Sequence, residues 1–362
     1  MEQKVIKLGV VGVISRGRSV VSTVIGDKNV KIAAICDINP NALQNAYEAL
    51  TKQGAENIAC YESYDEMLAS DIDAVFIATD APTHTAFAIK ALNAGKHVLS
   101  EIPAVWTPEE AKALKETVEA HPELKYMCAE NCCYWAFIQA WKKMYEDGKF
   151  GEAVFCESEY LHAADPCDIP EVDPTPEHWR RHMPAIRYLT HNLGPLLYIL
   201  DDKCVSVTCM ESDIVYNPHR KASATGCAMF KTAKGAIIKI LICFGAYIGC
   251  DHNFSIYGTR GMIETDRRAF VTDAHSFARF SDIPGSFGEK IDIPVTTAFP
   301  GENKEGHGGA DGKMVRAFIK CILDDTKPPI DIDLGIRMSL AGWYAHESAV
   351  NGGAEIKIPD LF

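Results

Sequence analysis

Residues 5–17 read VIKLGVVGVISRG, and this stretch decides the fold of the first third of the chain. Its apolar first half predicts a buried β-strand, and the residues after it show a helical pattern. Between them lies a turn with glycines at Gly12 and Gly17. The turn follows the spacing of a phosphate-binding G-x-G-x-x-G sequence, except that Ile14 stands at the second glycine. A strand, a glycine-rich turn and a helix in this order predict a site for a dinucleotide phosphate.

The alternation of strand and helix patterns continues to residue 102, which predicts a doubly wound parallel sheet of the Rossmann type. We therefore expect an α/β protein whose first domain, residues 1–125, binds NAD. The apolar and helical runs that carry this prediction are 17–26, Lys31–Asp37, 39–53, Asp73–Ala78, 83–94 and His97–Leu99.

Asp37 favours NAD over NADP as the cofactor. It follows Gly17 by 20 residues and ends the second predicted strand. A carboxylate there can accept hydrogen bonds from both ribose hydroxyls of NAD, and it would repel the 2′-phosphate of NADP. The alternative is that Asp37 caps the next helix, although Asn39 could take that position instead.

The pattern changes from about residue 126, where the strands become longer and alternate in polarity. This predicts an α+β domain over 126–362 that is built on a mostly antiparallel sheet and serves substrate binding and oligomerisation. Stretches 163–185 and 296–312 are expected to be loops. The predicted strands are Ala153–His162, Val205–Glu211, Ala224–Phe230, Ala236–Phe244 and Asn253–Tyr257.

The composition limits the classes of partner that the protein is expected to bind. The formal charge of −13 and a pI near 5.4 disfavour nucleic acid and anionic membranes. No secretion signal or membrane-spanning segment is predicted, and the 13 cysteines are interpreted as reduced residues of a cytoplasmic protein. Those inside apolar runs are expected to be buried: Cys36, Cys60, Cys227 and Cys243.

The chain resembles the Gfo/Idh/MocA oxidoreductase family, whose patterns A-T-P-x-x-x-H, A-L-x-A-G-K-H-V and E-K-P are similar to Ala78–Pro103. Within that family it is most similar to the NAD-dependent glycoside hydrolases of family 109 and to glycoside 3-oxidases. The segments that carry this second likeness are Ser100–Ala104, Glu130–Tyr134, Thr190–Pro195 and His307–Asp311.

The resemblance implies a homo-oligomer and a set of cofactor-binding residues. Two departures from the family pattern matter. The lysine that usually follows Glu101 is Ile102 here, and isoleucine cannot transfer a proton. The usual aspartate-plus-histidine signature of the substrate-domain helix is also absent, and the family 109 resemblance places His191 in the corresponding region. The cofactor-binding residues expected are Gly12, Ile14, Ser15, Arg16, Gly17, Asp37, Thr79, His84, Glu101, Pro103 and Asn131.

Three residues are candidate catalytic groups. Oxidation of an alcohol needs a base for the hydroxyl proton, and histidine suits that role at neutral pH. His191 precedes Gly194-Pro195, which we interpret as helix-breaking, so it is expected near a helix end; a core or capping histidine is the alternative. Tyr160 and His162 share one strand face, and the resemblance places them at the sugar, against the alternative of an ordinary packed face.

Arg180, Arg187, His307 and Asp311 are the expected substrate-binding residues. For His307 and Asp311, which lie in a glycine-rich stretch, the alternative is a solvated loop, and for Arg180 it is contact with the cofactor. Arg180 lies between His178 and His182, whose i, i+4 spacing suits a metal ion. No third ligand is spaced nearby, so we expect no metal.

The leading functional hypothesis is an NAD-dependent oxidoreductase that oxidises the C3 hydroxyl of a pyranose to a ketone. The alternative is a redox-neutral glycosidase, in which the same oxidation is followed by elimination, hydration and re-reduction. A third hypothesis is a non-catalytic NAD-dependent sugar sensor, which the presence of His191, Tyr160 and His162 disfavours.

Overall fold

The structure is a computed structural model that describes residues 4–162, 178–215, 217–244, 251–267, 275–283 and 286–360. Of the predicted loop 163–185, residues 163–177 lie outside these described residues. Contacts divide the chain into two compact units. The first comprises residues 1–130 and 305–336, and the second comprises 131–304 and 337–362.

The order of the helices and strands agrees with the two domains predicted from the sequence: strands and helices alternate first, and most of the later strands follow one another directly. Up to residue 130 they are β1 (Ile6–Val11), α1 (Arg16–Ser22), β2 (Val30–Cys36), α2 (Pro40–Lys52), β3 (Ala59–Tyr61), α3 (Tyr64–Ala69), β4 (Ala74–Ile77), α4 (His84–Asn93), β5 (His97–Ser100), α5 (Pro108–Ala120) and β6 (Tyr126–Cys128). From there to residue 304 they are α6 (Ala136–Glu146), β7 (Ala153–Leu161), α7 (Trp179–His182), α8 (Thr190–Leu200), β8 (Cys204–Glu211), β9 (Thr225–Thr232), β10 (Ile237–Cys243), β11 (Asp251–Gly258), β12 (Gly261–Thr265), β13 (Ser276–Phe280) and β14 (Glu289–Ile293). The last are α9 (Ala310–Asp324), α10 (Ile332–Val350) and β15 (Ile356–Lys357).

The first unit contains the predicted doubly wound parallel sheet. Its strand order is β3-β2-β1-β4-β5-β6, and every pair is parallel. All four residues of β4 are buried, as expected when helices cover both faces of a parallel sheet. The order reverses between β1 and β4, and ligands of such sheets bind beyond the carboxyl ends of the strands at that reversal.

The second unit is built on the predicted, mostly antiparallel sheet. Its described strands have the order β14-β13-β12-β11-β7-β10-β9-β8-β15, and β7 with β10 is the parallel pair among them. In β10, buried residues alternate with less buried ones, so one face of the sheet is covered. Trp141 of α6 belongs to this core, and its indole nitrogen donates a hydrogen bond of 2.9 Å to Ser276 Oγ.

Several sequence interpretations need correction. The described end of the predicted loop 163–185 contains the short helix α7, and the predicted loop 296–312 includes the first residues of α9. Helix α8 continues through Gly194 and Pro195, so His191 lies in its first turn rather than before a helix break. Cys60 and Cys227 are exposed and Cys243 is only partly buried, although all three were expected to be buried. Cys60 lies on β3 at the sheet edge, and Cys227 points to the less covered face of β9, where an apolar run does not guarantee burial.

The division at residue 125 stays a prediction of where the first domain ends. The contacts group the segment 305–336, which contains α9, with the first unit, although that segment follows the second sheet in the chain. Among the described residues, no helix combines the length and the apolar character needed to cross a bilayer.

Candidate active site

The glycine-rich turn between β1 and α1 is built by close backbone packing. Gly12 has a φ of +84°, and a Cβ there would lie 2.4 Å from the carbonyl oxygen of Ala78. A Cβ on Gly17 would lie 2.0 Å from the carbonyl oxygen of Gly12. Both positions therefore require glycine. Ile14, at the position of the missing second glycine, is 45% exposed and does not fill the interior of the turn.

Asp37 ties the end of β2 to this turn. One carboxylate oxygen accepts a hydrogen bond of 2.9 Å from the backbone N–H of Val13, and the other accepts one of 2.9 Å from Asn39 N–H. The α2 helix is capped by Asn39, whose side chain accepts from the N–H groups of Asn41 and Ala42. Asp37 is therefore not the helix cap, and it lies where a ribose ligand was expected.

The segment after β4 is held by a buried histidine. His84, the first residue of α4, has Nδ1 3.0 Å from the carbonyl oxygen of Pro103 and Nε2 3.0 Å from that of Thr79. Thr79 Oγ1 is 2.8 Å from Thr83 Oγ1. These contacts join the ends of β4 and β5, where a cofactor was expected to bind.

Arg16, the first residue of α1, is the centre of an ion-pair cluster within the first unit. Its Nε donates to Glu101 at 2.8 Å, and its two terminal nitrogens donate to the two oxygens of Asp311 at 2.8 and 2.9 Å. His307 Nδ1 lies 2.9 Å from Asp311 Oδ2 and 3.0 Å from Arg16 Nη1. The structure thus brings two predicted cofactor residues together with two predicted substrate residues.

Asp311 is ionised in this cluster. Its side chain is 1% exposed, and burial by itself raises the pKa of the carboxyl. Hydrogen bonds from His307 and Arg16, with the charge of Arg16, outweigh burial and hold the pKa well below its usual range.

In the second unit, rings of the predicted catalytic residues lie in one aromatic cluster. Tyr160 stacks on His252 with ring centroids 3.8 Å apart, and it contacts His162 at 5.2 Å and His191 at 6.3 Å edge to face. Tyr188 contacts His191 at 5.1 Å. The three residues proposed from the sequence therefore lie together.

Helix α8 and strand β7 position His191. Asn192 Nδ2 donates to Ser158 Oγ at 2.5 Å, and both residues are fully buried, so the first turn of α8 is fixed to β7. The neighbouring His191 Nδ1 lies 3.5 Å from Cys132 Sγ. Tyr160 is two residues after Ser158 on the same face of β7, which places its ring beside that helical turn.

The predicted substrate arginines are packed on aromatic rings. The Arg180 guanidinium lies over Trp179 at 4.5 Å and over Tyr188 at 5.8 Å. Its Nη1 is buried and has no hydrogen-bond partner among the described residues. Arg187 lies over Trp343 at 4.8 Å. The contact with Tyr188 links Arg180 to the aromatic cluster.

Sequence reasoning missed His252 and Tyr188. Strand β11 pairs with β7 so that His252 lies opposite Tyr160, and this register cannot be read without the strand order. Tyr188 precedes His191 by three residues, a spacing that could have identified it. The predicted cofactor residue Asn131 is buried in a short 3₁₀ turn at the start of the second unit.

Three family models match the chain. The oxidoreductase family model, described as an NAD-binding Rossmann fold of the Gfo/Idh/MocA kind, matches residues 6–128. The Gfo/Idh/MocA C-terminal domain matches 138–264, and the glycosyl hydrolase 109 C-terminal domain matches 220–362.

Curated relatives extend over nearly the whole chain. A glycosyl hydrolase family 109 protein of Solibacter usitatus is 27% identical, over 98% of this chain and 88% of its own. One from Porphyromonas gingivalis is 25% identical, over 98% and 84%.

Solved structures share the fold. An oxidoreductase from Agrobacterium radiobacter in complex with NAD+, L-tartaric acid and magnesium has a TM-score of 0.81 and 18% identity, covering 97% of this chain and 98% of its own. Levoglucosan dehydrogenase in complex with NADH and L-sorbose has a TM-score of 0.81 and 21% identity, covering 99% and 100%. With a Rossmann unit that binds NAD and a C-terminal region of the family 109 type, the chain belongs to the Gfo/Idh/MocA oxidoreductase family.

Proposed function

We propose that this protein oxidises a sugar or glycoside, removing hydride from the C3 hydroxyl carbon of a pyranose to give a 3-keto sugar. The observation that carries the proposal is the aromatic cluster of the second unit, which gathers Tyr160, His162, His191 and His252. Stacked rings beside polar ring atoms are suited to a sugar, which presents both C–H faces and hydroxyl groups.

The first unit fits its cofactor. Its turn leads from a parallel strand into a helix N-terminus, where backbone N–H groups can receive a diphosphate. Asp37 and Glu101 lie at the carboxyl ends of β2 and β5, where ribose hydroxyls could be bound. When bound, NAD supplies the acceptor for the hydride. We infer that the backbone of residues 12–17 and Asp37 hold it, with Thr79, His84 and Pro103 shaping the second half of the site.

His191 is the proposed base. Removing hydride from a secondary alcohol leaves the hydroxyl proton to be taken up, so the carbon loses two electrons and the oxygen loses a proton as the ketone forms. His191 is fixed by the first turn of α8, with Nδ1 facing Cys132. The ring contact between His191 and Tyr160 supports the proposal that the substrate hydroxyl lies near these two side chains. Tyr160 and His162 would orient the sugar, and Arg180 would donate to one of its oxygens.

A redox-neutral glycosidase is the second candidate, because the curated relatives are named glycosyl hydrolase family 109 proteins and residues 220–362 match the domain of that name. In that reaction Tyr160 would protonate the leaving group. A cytoplasmic location and a homo-oligomeric state stay predictions.

A screen of glycosides separates the two candidates. The protein is incubated with NAD+ and a panel of pyranosides, and the products are analysed by mass spectrometry. Loss of two hydrogens from the intact glycoside supports the dehydrogenase, and release of free sugar without net NADH supports the glycosidase. If neither product is formed with any glycoside of the panel, although NAD+ is still bound, both candidate functions are contradicted.

A further inference from the structure

Arg16 carries an unusual charge environment for a residue at a phosphate-binding turn. It faces two carboxylates, Glu101 and Asp311, so the three groups together have a formal charge of −1. A diphosphate is itself an anion, and a guanidinium whose charge is already offset attracts it weakly. The geometry therefore does not suit Arg16 as a diphosphate ligand.

Glu101, one of the two carboxylates bonded to Arg16, lies on the half of the sheet that does not carry the glycine-rich turn. In a Rossmann sheet, each half binds one mononucleotide, and the glycine-rich turn with Asp37 belongs to the half that binds the adenosine. Glu101 follows β5, which lies on the other side of the strand reversal. Its Oε1 accepts from Arg16, and its Oε2 lies 3.3 Å from Ile102 N–H. Glu101 is thus a fixed carboxylate on the nicotinamide half.

The turn before α9 is built to present Asp311 to Arg16. Gly306, His307, Gly308 and Gly309 all have positive φ, and for the histidine this left-handed conformation is strained because its Cβ lies close to the following carbonyl oxygen. The N–H of Asp311 donates to the carbonyl oxygen of Gly306 at 3.3 Å. Strained backbone often accompanies a functional contact, and here it places the buried Asp311 carboxylate bidentately on Arg16, so we infer that the Arg16–Asp311 contact is functional.

We propose that Asp311 is a positioning residue that acts through Arg16 to orient Glu101 toward the nicotinamide half of the cofactor, with His307 steadying Asp311. The inference rests on the proposed role of Glu101 as a cofactor ligand. It assigns Asp311 and His307 to the cofactor site, whereas the sequence had placed them at the sugar.

Binding of NAD+ and of ADP distinguishes this role from diphosphate binding. ADP carries the adenosine and the diphosphate but lacks the nicotinamide riboside. Asp311→Asn is expected to weaken NAD+ binding about tenfold, as measured by calorimetry, and to change ADP binding less than twofold. If Arg16 is a diphosphate ligand, removing the Asp311 charge makes Arg16 more available and both ligands bind more tightly. That result, equal weakening of both ligands, or no change in either would overturn the proposal.

Asp27→Asn is the matched control. Asp27 accepts a hydrogen bond of 2.9 Å from Arg316 of α9, so it also links α9 to the region of α1, but it has no described contact with Glu101. Both ligands should bind this variant as they bind the wild type. Weakening of NAD+ equal to that in Asp311→Asn would show a general loss of packing and would overturn the proposal.

One further variant, Arg16→Lys, keeps the test decisive if Asp311→Asn is poorly folded, and a second, Glu101→Gln, tests the route of the effect where Asp311→Asn folds. Arg16→Lys retains the charge but cannot bind two carboxylates in a fork, and it should give the same selective loss of NAD+ affinity. Glu101→Gln should leave little for Asp311→Asn to remove, so the two effects should not add. Additive effects would contradict action through Glu101. These measurements need no sugar, so their outcome is independent of whether a glycoside is oxidised.

Discussion

The two candidate sites, one in each unit, are held by different forces. In the first unit, Arg16, Glu101 and Asp311 form charged hydrogen bonds of 2.8 to 2.9 Å. In the second, Tyr160 and its neighbours are held by ring contacts of 3.8 to 6.4 Å between centroids. Charged hydrogen bonds fix the orientation of a group in a narrow range, whereas ring contacts are individually weak and add no net charge.

This difference separates the consequences of mutation. Removing one partner from the ion-pair cluster leaves a buried charge without its counter-charge, so stability and cofactor affinity should change together. Removing a ring from the aromatic cluster should change chemistry more than cofactor binding. The four predictions below test that distinction.

The largest effect is expected for His191→Ala, which should lower kcat by about 10² or more because a general base typically contributes about 10² to 10⁴ in rate. NAD+ affinity should barely change. A single-turnover measurement of NADH absorbance checks the rate, and calorimetry checks the affinity. His346→Ala, which removes a histidine paired with Glu211, is the control. Wild-type cofactor reduction by His191→Ala, with loss of it in Tyr160→Phe, would assign the base to Tyr160 instead.

Asp311→Asn should lower the free energy of unfolding by about 2 kcal/mol at neutral pH, a value reduced for the 26% exposure of Arg16. Because folding lowers the pKa of Asp311, its stabilisation is complete above the ordinary value of 3.8 and is lost as the pH falls below it. Urea unfolding of both proteins should give a constant difference between about pH 8 and pH 5 that shrinks in stronger acid. A difference that grows in acid would show that the paired carboxylate is not the source.

Cofactor discrimination should follow Asp37. We expect NAD+ to bind at least about tenfold more tightly than NADP+, equivalent to about 1.4 kcal/mol, because the carboxylate repels a 2′-phosphate. Titration of the wild type with both cofactors measures the ratio, and Asp37→Asn should reduce it. Equal affinity of the wild type for the two cofactors would remove Asp37 as the ribose ligand. Gln44→Ala, which alters an exposed position on the following helix, serves as the control.

The smallest effect is expected for Cys132→Ala. The thiol lies 3.5 Å from His191 Nδ1, and a sulfur hydrogen bond is weak, so kcat should fall by only about threefold. Steady-state kinetics of this variant beside Cys156→Ala, which removes a buried thiol from β7, measures the contribution. A loss as large as that of His191→Ala would mean that Cys132 itself takes part in proton transfer.

The sequence predicted the first unit better than the second. Apolar runs between residues 5 and 102 identified each strand from β1 to β5 except the short β3, because parallel strands buried on both faces are continuously apolar. It located β7 to β11 through alternation, but not β12 to β15. Of these, the edge strand β14 is largely exposed.

The sequence by itself determined the residue types of both sites: the glycines of the turn, Asp37 at the end of its strand, and His191, Tyr160 and His162 as candidate catalytic groups. The turn and the place of Asp37 follow from local spacing, since a turn or a strand end is set by a few neighbouring residues. The roles of the three candidate catalytic groups rest on the chemistry of their side chains and on the family resemblance. Only the tertiary structure decided which of them meet. The pairing of His252 with Tyr160 depends on strand register, and the contact of Arg16 with Asp311 joins residues far apart in the chain, through a return of the backbone to the first unit that no local pattern encodes.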